Sequence, residues 1–323
     1  VSRSPTFRAG RGGSAAPAGL SVADVVVGLF VLGVVFLFIL MGLTRARESA
    51  RLSMCQRNLA QVGQALAYYD GASRSLPPVA VPLRIDESMD KAPPGPLATM
   101  LEALGVPSLL GVDREGSNLP GLRGPTPQGI PVAGFLCPSD SEVMSGRFPS
   151  PVSYRANVGS DLGGSDGPFA VGRSYRLAEV ERRDGLSFTA AFCERLVGNG
   201  RDERAPANYQ VVDLTNSAAG DGAQVWTDGP WKGDAGSTWK PADFRYTLYN
   251  HVSPPWLPVS RVARDGRSAD VTASSAHVQG LNLLMLDGSA RVVTPSVAPE
   301  VWRAYGSVGP EPAQPPASSP LRN

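Results

Sequence analysis

Two histidines, three cysteines and a scatter of aspartates are the side chains in this 323-residue chain best suited to chemistry. His251 and His277 are the whole histidine supply, so a His-rich zinc site is excluded and imidazole catalysis would have to use one of the two. His277 precedes Asp287 by nine intervening residues, and Gly288 follows. An imidazole donating to a carboxylate there would suit a catalytic or metal site. It would equally suit a structural role, with Asp287 and Gly288 forming a turn and His277 tying the preceding Ala-Ser-Ser loop to a sheet. Two ligands are too few for a closed metal site and no nucleophile is apparent, so the structural reading is preferred. There is no nucleophile elbow, no HExxH helix and no paired-carboxylate motif. The expectation is a protein that is not an enzyme and has no metal or cofactor.

The remaining chemical candidates are weaker. Cys55, Cys137 and Cys193 are an odd set, so at least one thiol stays unpaired within the chain. A Cys137–Cys193 disulfide is left open. Asp213, Asp221, Asp228, Asp234 and Asp243 match no EF-hand spacing, and solvated turn aspartates are preferred over calcium ligands. Gly10-x-Gly12 follows no strand and precedes no Lys-Ser/Thr, so it is not a phosphate loop.

The elements that must position these groups follow from composition and period. Thirty basic against twenty-nine acidic residues, a net charge of +1, exclude nucleic-acid binding by bulk charge and exclude an acidic disordered chain. Hydrophobic residues at 42% suffice for a core, and 36 Gly with 30 Pro predict short strands joined by many loops. Residues 1–19 form a basic leader with Arg3, Arg8 and Arg11 and no acid. Val25–Leu43 then runs without a charge. At about 1.5 Å per residue it spans roughly 28 Å as a helix, near the bilayer's apolar thickness of about 30 Å. Leu52, Cys55, Leu59, Val62, Leu66 and Tyr69 continue at spacings of three and four, a helical stripe expected to pack on a domain and to stop by Gly71. Cys55, on that stripe, reads as a small buried hydrophobe.

The chain thus divides into a leader (1–19), a long helix (20–70, span about 25–43), a globular domain (71–308) and a low-complexity tail (309–323). A short helix is expected over Leu97–Leu104, closed by Gly105. Strands are expected at Gly134–Leu136, Phe169–Val171, Phe188–Cys193, Gln210–Val212, Leu281–Leu286 and Ala290–Val293. The last two should form a hairpin whose Asp287-Gly288 supplies a type I′ turn. The fold class is α+β: a long N-terminal membrane-spanning helix on a loop-rich mixed domain with an antiparallel sheet.

Two resemblances sharpen this. Gly19-Leu20-Ser21-Val22-Ala23-Asp24 before the apolar helix resembles the type IV prepilin and pseudopilin class. The resemblance implies cleavage after Gly19 by prepilin peptidase, methylation of Leu20 as the new N-terminus, and Asp24 as the fifth-position acid. That acid would pair with a neighbour's amine and so act in assembly. Leu20 and Asp24 stand where Phe and Glu are usual. The remainder resembles a large prepilin-like family of unknown function, expanded in planctomycete bacteria, that carries a His-X9-Asp-Gly segment, here His277, Asp287 and Gly288. Other segments agree in order: Cys55, Asn58, Leu59 and Gln61 on the helix; Cys137-Pro138-Ser139-Asp140; Asp184-Gly185 with Thr189 and Glu194; and Asn250-His251. Together these imply a membrane-anchored, exported, pilin-like protein with a structural or secretion-related role. They also imply a single pass in the cytoplasmic membrane, with the C-terminal domain outside the cytoplasm. The implied partners are prepilin peptidase, the pilus or type II secretion assembly platform and other pilin-like subunits, with no nucleic acid. A helix-anchored surface-binding protein (an adhesin or glycan binder) is the alternative, and an exported hydrolase a remote one.

Overall fold

The computed structural model describes residues 22–82, 84–87, 92–105, 130–216 and 224–310. Two compact units divide between Arg47 and Glu48. In the first, residues 22–47 are helical, the opening half of α1 (Val22–Ser73). Its large apolar side chains from Val25 to Leu43 are exposed, and the segment is apolar and long enough to cross a membrane. A helix is the only single-span solution in lipid, because its backbone groups pair within the segment.

The second unit begins with the other half of α1. Cys55, Leu59, Val62 and Leu66 are fully buried, while Arg51, Arg57, Gln61 and Gln64 on the opposite face are exposed. Burial of a Leu or Val side chain contributes about 1.5–3 kcal/mol before entropy is counted, so the stripe is a major anchor. The helix runs two residues past Gly71 and ends at Arg74, which takes the left-handed conformation and donates its N–H to Asp70 O. Asp70 also accepts from Leu177 N, which holds that last turn helical.

The other helices are short: α2 (Pro96–Thr99), α3 (Ser141–Met144), α4 (Leu177–Arg183) and α5 (Pro299–Gly306). The strands are β1 (Tyr154–Asn157), β2 (Ala190–Glu194), β3 (Tyr209–Val212), β4 (Leu214–Asn216), β5 (Gln224–Trp226), β6 (Trp231–Lys232), β7 (Leu248–Tyr249), β8 (Ser260–Ala263), β9 (Ala269–Asp270), β10 (Leu281–Met285) and β11 (Ala290–Val293). The main sheet has the order β11-β10-β2-β1-β7, antiparallel except for β1 with β7. A second sheet has the order β6-β3-β8-β9, with β3 and β8 parallel, and β4 and β5 form a separate pair. The α+β class holds, with the long N-terminal apolar helix and antiparallel pairing in both larger sheets.

Several local expectations are corrected. Gly134–Leu136 is not a strand. Ala133–Phe135 is a 3-10 turn that buries Phe135 edge-on to Trp239 at 6.1 Å, and Leu136 O accepts from Asn58 and Tyr154 side chains instead of a ladder. Phe169–Val171 lies in a turn, where Val171 makes an isolated bridge to Val79. Of Leu97–Leu104 only the first residues are α-helical, and turns lead to Gly105 at φ 75°. Strand β1 (YRAN) escaped sequence reading because its polar residues are buried. Asn157 donates to Ala190 O and Gly306 O, and Arg155 donates to Phe244 O.

The terminal hairpin forms as expected, but not around a type I′ turn. That turn needs positive φ at both central residues. Here only Gly288 has it, at 83°, with Gly288 N–H on Met285 O and Met285 N–H on Ser289 O. This is the three-residue loop with a glycine bulge. Asp287 caps it by accepting from Ser289 N and Oγ. The hairpin also abuts α1, since a Cβ on Gly63 would lie 3.0 Å from Gly288 Cα. A Cβ on Gly288 itself would meet nothing within 4 Å, so only its backbone conformation demands glycine. Gly288→Val is therefore expected to destabilise the chain by about 1–2 kcal/mol, read from its urea midpoint, because a β-branched residue tolerates positive φ poorly.

Candidate functional site

The second half of α1, the segment before α3, the end of β2 and the loop before β10 converge on one imidazole. His277 is buried, and its Nδ1 donates to Glu48 Oε1 at 2.6 Å. Its Nε2 faces three groups: Cys55 Sγ at 3.3 Å, Cys137 Sγ at 3.5 Å and Glu194 Oε1 at 3.5 Å. The two sulfurs are 3.1 Å apart. Ligand atoms of Cys55, Cys137, Glu194 and His277 all lie within 4.8 Å of one another, and all four residues are buried.

Each member is placed by local structure. Cys55 rides the buried stripe of α1, and Glu48 lies one heptad earlier on the same face. Cys137-Pro138-Ser139-Asp140 is a turn closed by Asp140 N–H on Cys137 O, with proline at its favoured second position. Cys137 N–H bonds Ser153 Oγ, and Ser139 Oγ donates to Glu48 at 3.2 Å. Asp140 is the N-cap of α3, accepting from Glu142 N, and its other oxygen takes Val197 N–H at 2.8 Å. Burial raises its pKa. Glu194 ends β2, and Asn282 on neighbouring β10 donates to it twice, at 2.8 and 2.9 Å.

The electrostatics follow from burial. The Cys55 contact and burial together lift the Cys137 thiol well above its ordinary range, so it stands protonated and is a poor nucleophile. Burial opposes charge on His277, but the Cys137, Glu194 and Glu48 side chains outweigh it and push the imidazole up to about 11. With donors of nitrogen, sulfur and oxygen on one point, the cluster can hold either protons or a metal cation.

Other predicted site residues stand apart from this cluster. Asp287 is at the opposite end of β10 from His277, exposed in the hairpin turn, so the two do not share one end of the hairpin. A five-residue strand separates them, and Asp287 bonds Ser289 instead. Asp184 is the C-cap residue of α4, and Gly185, at φ 87°, donates to Val180 O as the helix terminator. His251 lies in the core with Nδ1 on Trp302 O at 2.6 Å, Nε2 against Tyr249 Oη at 2.9 Å and its ring stacked on Trp302. Cys193 is a free buried thiol within β2, and Cys137 faces Cys55 rather than Cys193. Asp234 accepts from Tyr209 and Tyr246, Asp243 pairs with Arg245, which lies over the Tyr246 ring, and Asp213 pairs with Arg264. Asp24 falls in the first turn of α1, while Gly19, Leu20 and Asp221 lie outside the described residues.

In the sequence Cys55 is indistinguishable from core filling, and Glu48 belongs to no motif. An acid in register with the apolar stripe was the available signal, because a carboxylate on a buried face requires a partner.

Compared with known proteins, residues 44–300 match the model of a family described as a protein of unknown function (DUF1559). Neither a curated protein nor a solved structure matches the chain.

Burial lowers the pKa of His251 from 6.5 to about 3. The unfolded chain therefore takes a proton that the folded chain refuses between those values. This contribution to stability is complete above pH 6.5 and declines as pH falls, by up to about 1.4 kcal/mol per pH unit. His251→Phe should be less stable at pH 8 but lose less melting temperature between pH 6.5 and 4 than the parent, as measured by circular dichroism.

Proposed function

This chain belongs to the DUF1559 family of proteins of unknown function, and on that premise we propose that it is a membrane-anchored, exported protein of the prepilin or pseudopilin kind, with a structural or secretion-related role. The observation that carries this reading is the uncharged segment Val25–Leu43, which is helical, exposed, and continuous in sequence with the half-helix that bears the buried stripe. A soluble protein would hide such a surface in its core, since exposed apolar area of this size is a liability in water. The span is a single pass of the cytoplasmic membrane with the globular domain on the outer side. Prepilin peptidase, an assembly platform and other pilin-like subunits are its partners. The role is not enzymatic: His251 and Asp287 serve as core and turn residues, which supports that reading.

Within this proposal Gly19-Leu20 is the processing junction, and Asp24 neutralises a neighbour's N-terminal amine. A buried carboxylate is costly unless paired, and pairing would set the register of packed helices. Mass spectrometry of the chain from native membranes should find an N-terminus at Leu20 bearing a methyl group. Retention of residues 1–19 in cells with active prepilin peptidase would remove the reading. Asp24→Ala should impair assembly while cleavage and insertion stay nearly intact, and Asp24→Glu should restore it. Normal assembly of the alanine variant would reduce Asp24 to a helix-start residue.

A further inference from the structure

We propose that Cys55, Cys137, Glu194 and His277 bind one divalent metal ion of the zinc class, in a closed four-ligand site that clamps α1 to the main sheet. A tetrahedral zinc with sulfur at about 2.3 Å and nitrogen or oxygen at about 2.0–2.1 Å sets neighbouring ligand atoms about 3.3–3.8 Å apart. The distances from His277 Nε2 are 3.3 Å to Cys55, 3.5 Å to Cys137 and 3.5 Å to Glu194. The Cys55–Cys137 separation of 3.1 Å would have to open by about 0.7 Å, to the roughly 3.8 Å that two sulfurs take on a tetrahedral zinc, a shift that χ1 rotation of the two cysteines can supply. The donor set of two thiols, an imidazole and a carboxylate is one that zinc prefers and that magnesium and calcium, which seek oxygen, do not.

The surrounding groups are arranged as a metal site requires. Glu48 accepts the Nδ1–H of His277 at 2.6 Å, which fixes the ring so that Nε2, once the ion displaces its proton, points its lone pair at the ion. Ser139 in turn holds Glu48, and Asn282 holds Glu194 with two donors. A crevice of about 10 Å³, roughly one water in size, borders Cys137 and Glu194 beside Ser274–Ala276. All four coordination positions are filled by protein, so the ion would be structural, with no open position for a substrate. On binding, the two thiols and the imidazolium Nε2 each release a proton to solvent, and the Nδ1–H stays on Glu48.

A Cys55–Cys137 disulfide is the competing use of the same sulfurs. It needs a separation of about 2.0 Å and would leave Glu194 facing His277 with no ion between them. Metal binding also stands independently of the pilin-like role, since it requires neither processing nor assembly.

The test uses the full chain in detergent, purified without chelator or added reductant. Elemental mass spectrometry should find about one zinc per chain, and X-ray absorption two sulfurs near 2.3 Å with two lighter ligands near 2.0 Å. Cys137→Ser, Glu194→Gln and His277→Gln should each lower the bound zinc at least tenfold, whereas Cys193→Ala should keep it. If ligand variants fail to fold, the parent chain still decides. A chelator should strip the zinc and lower the melting temperature, and added zinc, not magnesium, should restore it. Cobalt in its place should show the visible bands of a tetrahedral thiolate complex. A folded parent chain without bound metal, with Cys55 and Cys137 disulfide-linked by peptide mapping, would overturn the proposal. So would zinc that persists unchanged in a folded His277→Gln chain.

Discussion

The imidazole of His277 touches Glu48 on the helix at 2.6 Å and faces Glu194 on the sheet at 3.5 Å. Two carboxylates drawn toward the interior would be costly without a counter-charge, and this ring supplies contact with both. The seam between α1 and the main sheet is built around it. Cys55 and Cys137 fill the space beside the ring, and Leu59, Val62 and Leu66 extend the contact as an apolar stripe. At the far end Gly63 lets the hairpin turn approach, since any side chain there would strike Gly288. Loosening His277 would therefore break the link it makes between Glu48 on the helix and Glu194 on the sheet, and leave Ser139 as the hydroxyl partner of Glu48.

The rest of the core also carries polar residues, most of whose polar atoms are paired, while Arg155 Nε and Nη2 and Arg195 Nε are buried without a hydrogen-bond partner among the described residues. Arg195 is buried and donates to Thr272 O and Asn208 O. Arg245 holds Asp243 at 2.7 Å. Asn157 and Asn250 donate to carbonyls at strand ends, and Asn208 to the loop carbonyls of Arg201 and Glu203. This pattern suits a domain whose strands run two to five residues. Short ladders leave many N–H and C=O groups at their ends, and buried amides and guanidinium groups take them up.

The family segments acquire distinct physical roles on this scaffold. Cys-Pro-Ser-Asp supplies a sulfur to the cluster, a hydroxyl to Glu48 and a cap to α3. Asp184-Gly185 ends α4 ahead of β2, which delivers Glu194. Asn250-His251 fastens β9 and α5, with Gly306 obliged to be small because a Cβ would lie 2.5 Å from His251. The His-X9-Asp-Gly segment is a strand with a different task at each end: helix attachment at His277 and turn formation at Asp287 and Gly288.

What could be read from the residues alone was local. The uncharged length of Val25–Leu43, the three-and-four spacing from Leu52 to Tyr69, and the Asp-Gly hairpin depend on neighbours within a turn or two, where period and backbone preference act directly. The α+β class followed from them. Strands with buried polar residues, such as β1, carry no such period and stayed hidden. The cluster was only partly legible: Cys137 and His277 stood out, Glu194 entered through a resemblance, Cys55 passed as core and Glu48 went unnoticed. Its contacts join residues 82, 140, 222 and 229 positions apart. Only the folded chain decides which side chains meet over such distances, because the packing of helix on sheet, not any local preference, brings them together.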